Sequence, residues 1–152
     1  MATVSPAHRV RQVVNVVNLS TPIGLLVGAL GRVRFRLGPN GLVLGYGYRL
    51  VVPRNSTFTV GNVVLFKADE TVHAKRPTLM AHEARHATQY AFCLGPVMLP
   101  LYGLAAAWSW VRTGDPASRN VFERLAGLAD GGYRERPVRP LFRRRRGGSG
   151  RF

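Results

Sequence analysis

The chain has 152 residues and a mass of 16.7 kDa, which is room for one domain, and its 46% apolar content is enough to build a packed core. Its 22 basic residues against 7 acidic ones give a net charge of +15, which favours anionic partners such as nucleic acid or lipid head groups. A single cysteine, Cys93, excludes an intrachain disulfide and fits a reducing compartment.

Residues 12–30 form an uncharged, largely apolar stretch that is interrupted by polar residues and Pro22. The pattern predicts two short helical segments that break near Ser20-Thr21-Pro22, with Ser20 or Thr21 as a cap and Pro22 at the first helical position. The interruptions make this stretch a poor match to a signal peptide. We therefore expect a cytoplasmic protein.

Three strand candidates follow, at residues 32–37, 42–52 and 57–66. In the first, Val33, Phe35 and Leu37 alternate with arginines, which is the period of a half-exposed strand. Turn residues at 38–41 and 53–56 separate the three candidates. Three short strands in succession predict an antiparallel meander.

Helical patterns occupy the second half of the chain, at residues 77–92, 98–111 and 116–129, the last opened by Asp115 as a cap and closed by Gly131-Gly132. The sequence thus predicts an α+β fold in which a short antiparallel sheet is followed by a helical bundle. We expect one domain at residues 1–133. Residues 134–152 carry eight arginines, including the run Arg143 to Arg146, and one glutamate, which predicts a disordered tail able to contact anions nonspecifically.

The motif His82-Glu83-Ala84-Arg85-His86 lies on the first of these helices. Two histidines four residues apart share one helix face, so both imidazoles can bind one ion, and neutral imidazole nitrogens suit zinc. Glu83 lies beside them and could take a proton from water, as a general base must. The alternative is an amphipathic helix whose histidines bind no metal.

A catalytic zinc usually has three protein ligands. The acidic candidates besides Glu83 are few: Asp69, Glu70, Asp115, Glu123, Asp130 and Glu135. We favour Glu123, because it borders the apolar face of the last helix and is followed by Ala126 and Gly127, whose small size lets another helix approach. Asp130 could then accept a hydrogen bond from a ligand histidine. Cys93 could be a thiolate ligand, but a lone cysteine on an apolar helix is more often part of the core.

The motif, with a glutamate on a later helix, resembles the HExxH zinc metallopeptidases, and specifically the gluzincins. The segments 81–90 and 120–127 also look like those of small uncharacterised bacterial proteins that carry this motif. The resemblance covers residues 57–130 at most and implies a minimal zincin-like fold. It further implies a Zn²⁺ cofactor held by His82, His86 and Glu123, with Glu83 as the catalytic base, and a peptide or protein substrate. An edge strand at residues 60–66 would align that substrate.

Two departures from related patterns matter. Gluzincins commonly have Asp four residues after the ligand Glu, where this chain has Gly127. The metzincin pattern is excluded, because Gln89 and Phe92 stand where it needs Gly and His. For stabilising the oxyanion, Tyr133, Tyr90 and His73 are candidates.

Residues 90–111 contain no charge and end next to Arg112, which is a composition typical of membrane segments. Gly95-Pro96 and Pro100 interrupt the stretch, however, and the remaining residues 97–111 would span only about 22 Å of a hydrocarbon core of about 30 Å. We therefore predict a buried helical hairpin between the motif helix and the Glu123 helix. Interfacial contact with anionic lipid stays open.

Two hypotheses for function follow. The first is a zinc-dependent metallopeptidase. The second is a non-catalytic basic module that binds nucleic acid or anionic membrane and whose zinc site is structural or absent.

Overall fold

The structure, a computed structural model, describes residues 5–140 except for the side chains of His73 and Ala74. Two helices come first, α1 (Pro6–Val17) and α2 (Ser20–Leu30). The side chain of Ser5 caps α1, and Leu19 in the left-handed conformation separates the helices. The break therefore lies at Asn18-Leu19, just before the predicted Ser20-Thr21-Pro22, and Leu19 rather than Ser20 or Thr21 is the cap residue. Pro22 lies in the first turn of α2, two residues later than predicted.

Four short strands form one mixed sheet: β1 (Arg34–Leu37), β2 (Val43–Tyr46), β3 (Thr57–Val60) and β4 (Val63–Phe66). Their spatial order is β1-β2-β4-β3. The pairs β1/β2 and β3/β4 are antiparallel, but β2 and β4 run parallel. The predicted antiparallel meander was therefore wrong in its pairing.

The cause is a hairpin inside the third strand candidate. Gly61, with φ of +61°, and Asn62 reverse the chain between β3 and β4. Both strands are almost entirely buried, so residues 57–66 resemble one continuous strand, and the Gly61-Asn62 pair, a typical two-residue hairpin turn, was overlooked. The second candidate also ends early, at Tyr46 rather than Val52.

The remaining helices are α3 (Val72–Lys75), α4 (Leu79–Phe92), α5 (Met98–Thr113) and α6 (Val121–Ala126). The α+β fold is confirmed, with the addition that α1 and α2 precede the sheet. The predicted helix at 116–129 is shorter: Asp115 accepts hydrogen bonds from Ser118 N and Oγ at 2.7 and 2.6 Å in a turn, and the helix begins only after Asn120.

The sheet has a helix layer on each face. Leu44, Tyr46, Val64 and Phe66 face α4, where they pack against Leu79 and Ala87. Val63 and Leu65 point to the opposite face, where Val27 of α2 covers them. This arrangement fixes α4, which carries the motif, against the sheet and next to the edge strand β3.

The uncharged segment at 90–111 forms the end of α4 and most of α5, but the prediction that it is buried was wrong. Leu99, Leu101, Leu104, Trp108, Trp110 and Val111 are all exposed. Within residues 5–140, no single helix is long and apolar enough to cross a membrane. Two helix pairs meet that test together by length and composition, α1 with α2 and α4 with α5, although each pair is strongly bent at its junction.

The start of the predicted tail makes backbone contacts with the domain. Arg136 N donates to Ser118 Oγ at 3.0 Å, and Arg139 N donates to Arg112 O at 2.7 Å. The run Arg143 to Arg146 lies outside the described residues. The domain boundary after residue 133 and the disorder of the tail stay predictions.

Candidate metal centre

Helix α4 brings His82 and His86 onto one face, one turn apart and directed into the protein. Both are buried, and their ring centroids are 4.6 Å apart. Their Nε2 atoms are separated by 3.1 Å. This is the geometry expected for an i, i+4 pair on a helix.

Glu123 approaches the same point from α6. The side chain of Asn120 caps that helix by accepting from Phe122 N at 3.0 Å, and Glu123 is buried. Glu123 Oε2 lies 3.2 Å from His82 Nε2 and 3.6 Å from His86 Nε2. The structure therefore brings together the three residues predicted as ligands, and this group could hold a metal ion.

The second nitrogen of each imidazole is held by an acceptor. His82 Nδ1 lies 3.0 Å from Gly127 O and 3.2 Å from Ala126 O. Carbonyl oxygens can only accept, so Nδ1 carries the proton and donates it. Gly127, with φ of +88°, ends α6 in a conformation that favours glycine, next to these carbonyls.

Gln89 orients the second imidazole. Its Nε2 donates to Phe122 O at 2.9 Å, which leaves its Oε1 to accept from His86 Nδ1 at 2.8 Å. The amide orientation is thus fixed by a backbone carbonyl of the α6 segment. As a result, the Nε2 lone pairs of both histidines are directed to the point that Glu123 Oε2 also faces.

The two oxygens of Glu123 have different surroundings. Oε1 accepts a hydrogen bond from the hydroxyl of Tyr102 on α5. Oε2 is fully buried, and apart from the two imidazoles no group in the described part of the chain satisfies it. Three acceptor atoms within 3.1 to 3.6 Å repel one another unless a proton or a cation lies between them.

The pKa shifts of Glu123 and His82 agree with a positive charge, either a proton or a cation, between the two side chains. Burial raises the pKa of Glu123, but its contacts with the imidazoles of His82 and His86 outweigh burial and lower that pKa to about 2. Burial lowers the pKa of His82, whereas its contact with Glu123 and the nearby Glu83 raise it, and the net shift is upward. A carboxylate that stays ionised against its burial is a suitable ligand for a cation.

Glu83 is buried next to the ligand pair, where the hydroxyl of Thr59 on β3 donates to its Oε2 at 2.7 Å. Burial raises the pKa of Glu83, and the nearby His86 and the Thr59 hydrogen bond oppose that rise. A carboxyl group with a raised pKa beside a candidate metal position is suited to accept and return a proton.

Two clefts meet at this group. One is mostly apolar and is lined by β3, α4 and α5, and the other opens towards Arg76 and Gly132. The residues common to both are Asn55, Thr57, His82, Glu83 and Tyr133. The two clefts together could therefore hold an extended chain of several residues that runs along β3 and across the ligand group.

The edge strand was predicted at the wrong place. Residues 63–66 form β4, which is central, because β2 and β3 flank it. The edge strand that lines the site is β3 (Thr57–Val60). The error has the same cause as the missed hairpin at Gly61-Asn62.

Other candidates lie elsewhere. Asp130 accepts from Arg85 at 2.7 Å, so the carbonyls of residues 126 and 127 take the role proposed for it at His82. Cys93 packs in an apolar cluster with Tyr90 and Met98. The other acidic residues outside the ligand group bind within their own loops or pair with arginines: Asp115 with Ser118, Asp69 with Thr71, Glu70 with Arg36, and Glu135 with Arg119 and Arg124.

Of the oxyanion candidates, Tyr133 and Tyr90 both line the apolar cleft, and the ring centroid of Tyr133 is 6.2 Å from that of His82. The side chain of His73 lies outside what the structure describes. Burial raises the pKa of both tyrosines, so each keeps its proton as a potential donor.

Sequence reasoning missed three residues that support the group. Gln89 could have been found, because it follows His86 by three residues on the same helix face. Thr59 and Tyr102 could not, because each reaches the site from a separate element through tertiary packing alone.

Comparisons of the chain with protein-family models, curated proteins and solved structures found no match.

Proposed function

We propose that this protein is a zinc-dependent metallopeptidase of the gluzincin type, in which His82, His86 and Glu123 hold the metal and Glu83 is the general base. The observation that carries the proposal is the convergence of three buried ligand atoms from two helices at mutual distances of 3.1, 3.2 and 3.6 Å.

These distances support zinc. Tetrahedral coordination with metal–ligand bonds of about 2.0–2.1 Å places ligand atoms about 3.3–3.4 Å apart. Two histidines and one glutamate are also a donor set that catalytic zinc uses, with a fourth position left for water or substrate. The buried Oε2 of Glu123, for which the described part of the chain offers no donor, is the atom that such an ion would satisfy.

The residues of the chain divide the remaining work. When bound, zinc supplies a Lewis acid that polarises a peptide carbonyl and lowers the pKa of water. Glu83 accepts the proton that the attacking water loses and returns it to the nitrogen of the leaving amine. Thr59 holds Glu83 Oε2, so the carboxylate keeps one orientation during both transfers.

The substrate we propose is an extended peptide or an unfolded protein segment. In the described part of the chain β3 pairs with β4 alone, so its other backbone edge can pair with such a segment, and clefts on both sides of the ligand group leave room for the side chains of the segment.

Metal analysis tests the ligand assignment. We expect about one zinc per chain in the wild type and a loss in His82→Ala and in Glu123→Ala. His8→Ala and Glu70→Ala are matched controls, because His8 bonds Ser5 and Glu70 pairs with Arg36 at the surface. Equal zinc in all five proteins contradicts the assignment.

Activity tests the catalytic part. With a fluorescently labelled unfolded protein as substrate, Glu83→Gln should retain zinc and lose turnover by at least about a hundredfold, as expected for loss of a general base. Glu70→Gln should behave as wild type. Zinc that stays bound without any turnover in the wild type, together with salt-dependent anion binding that survives Glu83→Gln, supports the non-catalytic basic module instead.

A further inference from the structure

Three helices bury polar or small residues and expose large apolar ones. In α1, Arg11 and Asn15 are buried while Val13 and Val17 are exposed. In α2, the buried residues are Ser20, Thr21, Gly24 and Gly28, and in α5 they include Ser109 and Thr113. Helices on the surface of a protein in water normally show the reverse pattern.

Small residues line the inward side of α2. A Cβ atom at Gly24 would lie 2.4 Å from Val60 O, and one at Gly28 would lie 2.7 Å from the ring of Phe35. The small residues thus let the backbone of α2 approach the sheet closely, while Leu26 and Leu30 point outward. Small residues at the packing face with large apolar residues outside are typical of helices in contact with acyl chains.

The outer face of α5 is a continuous apolar stripe, formed by Leu101, Leu104, Trp108 and Val111 at helical spacing. Leu104 is 71% exposed and Trp108 is 55% exposed. Arg112 stacks on Trp108, with its guanidinium carbon 5.4 Å from the ring. Tryptophan and arginine together at one end of an apolar stripe match the head-group region of a bilayer.

The junction of α1 with α2 extends this surface. Asn18 Nδ2 donates to Tyr90 O at 3.3 Å, and the backbone of Gly95 approaches Asn18 O closely. The exposed side chains of Val17, Leu19 and Leu94 therefore lie at neighbouring junctions. Both stretches of chain that meet here, residues 12–30 and 90–111, contain no charged residue.

We propose that the protein docks on an anionic lipid bilayer through the outer face of α5 and the adjoining α1–α2 junction. It would lie in the interface, because α5 is about 24 Å long and cannot cross a hydrocarbon core of about 30 Å alone. A net charge of +15 adds attraction to anionic head groups. A protein partner is disfavoured because the inverted pattern extends over three helices rather than one patch.

The two tryptophans of the chain, Trp108 and Trp110, both lie on α5 and are both exposed, so selectively excited tryptophan fluorescence reports on this helix alone. The full-length protein is mixed with vesicles of phosphatidylcholine or of an equal mixture with phosphatidylglycerol. We expect binding to the mixed vesicles, a blue shift of the emission, and quenching by phosphatidylcholine brominated on its acyl chains.

Leu104→Glu tests the stripe, and Leu37→Glu is the matched control. Leu37 lies on β1 and is 93% exposed, compared with 71% for Leu104, and the two variants change the net charge by the same amount. Leu104→Glu should weaken vesicle binding by at least about tenfold, since burying one leucine is worth roughly that factor or more. Leu37→Glu should stay within about twofold of wild type.

Three results overturn the proposal. Absence of vesicle binding by a folded wild type does so directly. Binding that high salt abolishes, without quenching and without sensitivity to Leu104→Glu, means that the arginines alone attract the lipid. A defined oligomer that Leu104→Glu dissociates, with no quenching by brominated lipid, means that a second copy of the chain covers the stripe.

Discussion

The hydroxyl of Tyr102 donates a hydrogen bond to Oε1 of Glu123, and this contact joins α5 to the candidate metal group on α4 and α6. Burial raises the pKa of Tyr102, and the neighbouring Glu123 carboxylate raises it further, so the hydroxyl keeps its proton and remains a donor. Oε1 is thereby occupied, which leaves Oε2 as the oxygen that faces the imidazoles.

Tyr102→Phe should therefore weaken metal binding by about 10- to 100-fold, the range typical for loss of a group that orients a metal ligand. The measurement is competition with a zinc chelator, followed by metal analysis. Tyr90→Phe is the matched control, because Tyr90 lines the same cleft but lies outside the ligand group. Equal affinities in both variants would show that Tyr102 has no part in positioning Glu123.

Gly131 lies against the imidazole of His82. A Cβ atom there would be 2.5 Å from Cε1 and 2.8 Å from Nε2 of His82, which is closer than real contacts allow. Gly131→Ala should displace the imidazole and reduce metal affinity by more than about tenfold. Gly103→Ala on α5, where a Cβ meets nothing within 4 Å, should leave metal affinity unchanged and stabilise the helix by about 0.5–1 kcal/mol. A metal affinity in Gly131→Ala equal to that of wild type contradicts the geometry of the site.

The parts of the site that follow from helix periodicity were predictable. The spacing of His82 and His86 places both imidazoles on one face of α4 whatever the rest of the fold. The position of Glu123 opposite them followed from the apolar face of its helix and the few acidic residues available, although the helix itself is shorter than predicted.

The parts that depend on tertiary pairing were not predictable. The parallel contact of β2 with β4 joins strands that are separated along the chain by β3. The turn at Gly61-Asn62 did have a local signal, a Gly-Asn pair between two strand patterns, but the buried run on both sides obscured it. The exposure of α5 was missed for a related reason: an apolar composition predicts burial without saying what buries it, and in α5 the inward side carries Ser109 and Thr113.

Asn15 shows how the inverted pattern of α1 should affect stability. Its side-chain nitrogen donates to Asn62 Oδ1 at 3.0 Å and to Ala87 O of the motif helix at 2.8 Å, and it is fully buried. Asn15→Ala should lower the free energy of unfolding by about 1–3 kcal/mol, because two buried acceptors lose their donor. Val13→Ala, a larger apolar loss on the exposed side of the same helix, should change it by less than about 0.5 kcal/mol in detergent-free buffer. Urea unfolding of both variants checks the order, and a larger effect for Val13→Ala would mean that α1 packs with its other face inward.

Thr59 and Thr57 give the sharpest test of the Glu83 environment, because both are buried threonines on the same face of β3. The hydroxyl of Thr59 donates to the buried Glu83 carboxylate at 2.7 Å, and no such bond is observed for the hydroxyl of Thr57. Thr59→Val keeps the shape and removes the donor, so it should cost about 1.5–3 kcal/mol of unfolding free energy, the range for a hydrogen bond to a charged group. It should also leave the zinc content unchanged, because the Thr59 hydroxyl bonds Glu83 rather than a proposed ligand, and it should reduce any peptidase turnover by loosening the base. Thr57→Val should have a smaller effect on both stability and turnover.

Calorimetry and metal analysis of the two variants test this prediction. Equal destabilisation, or loss of zinc in Thr59→Val, would mean that the Thr59 hydroxyl supports the strand or the ligand group rather than Glu83.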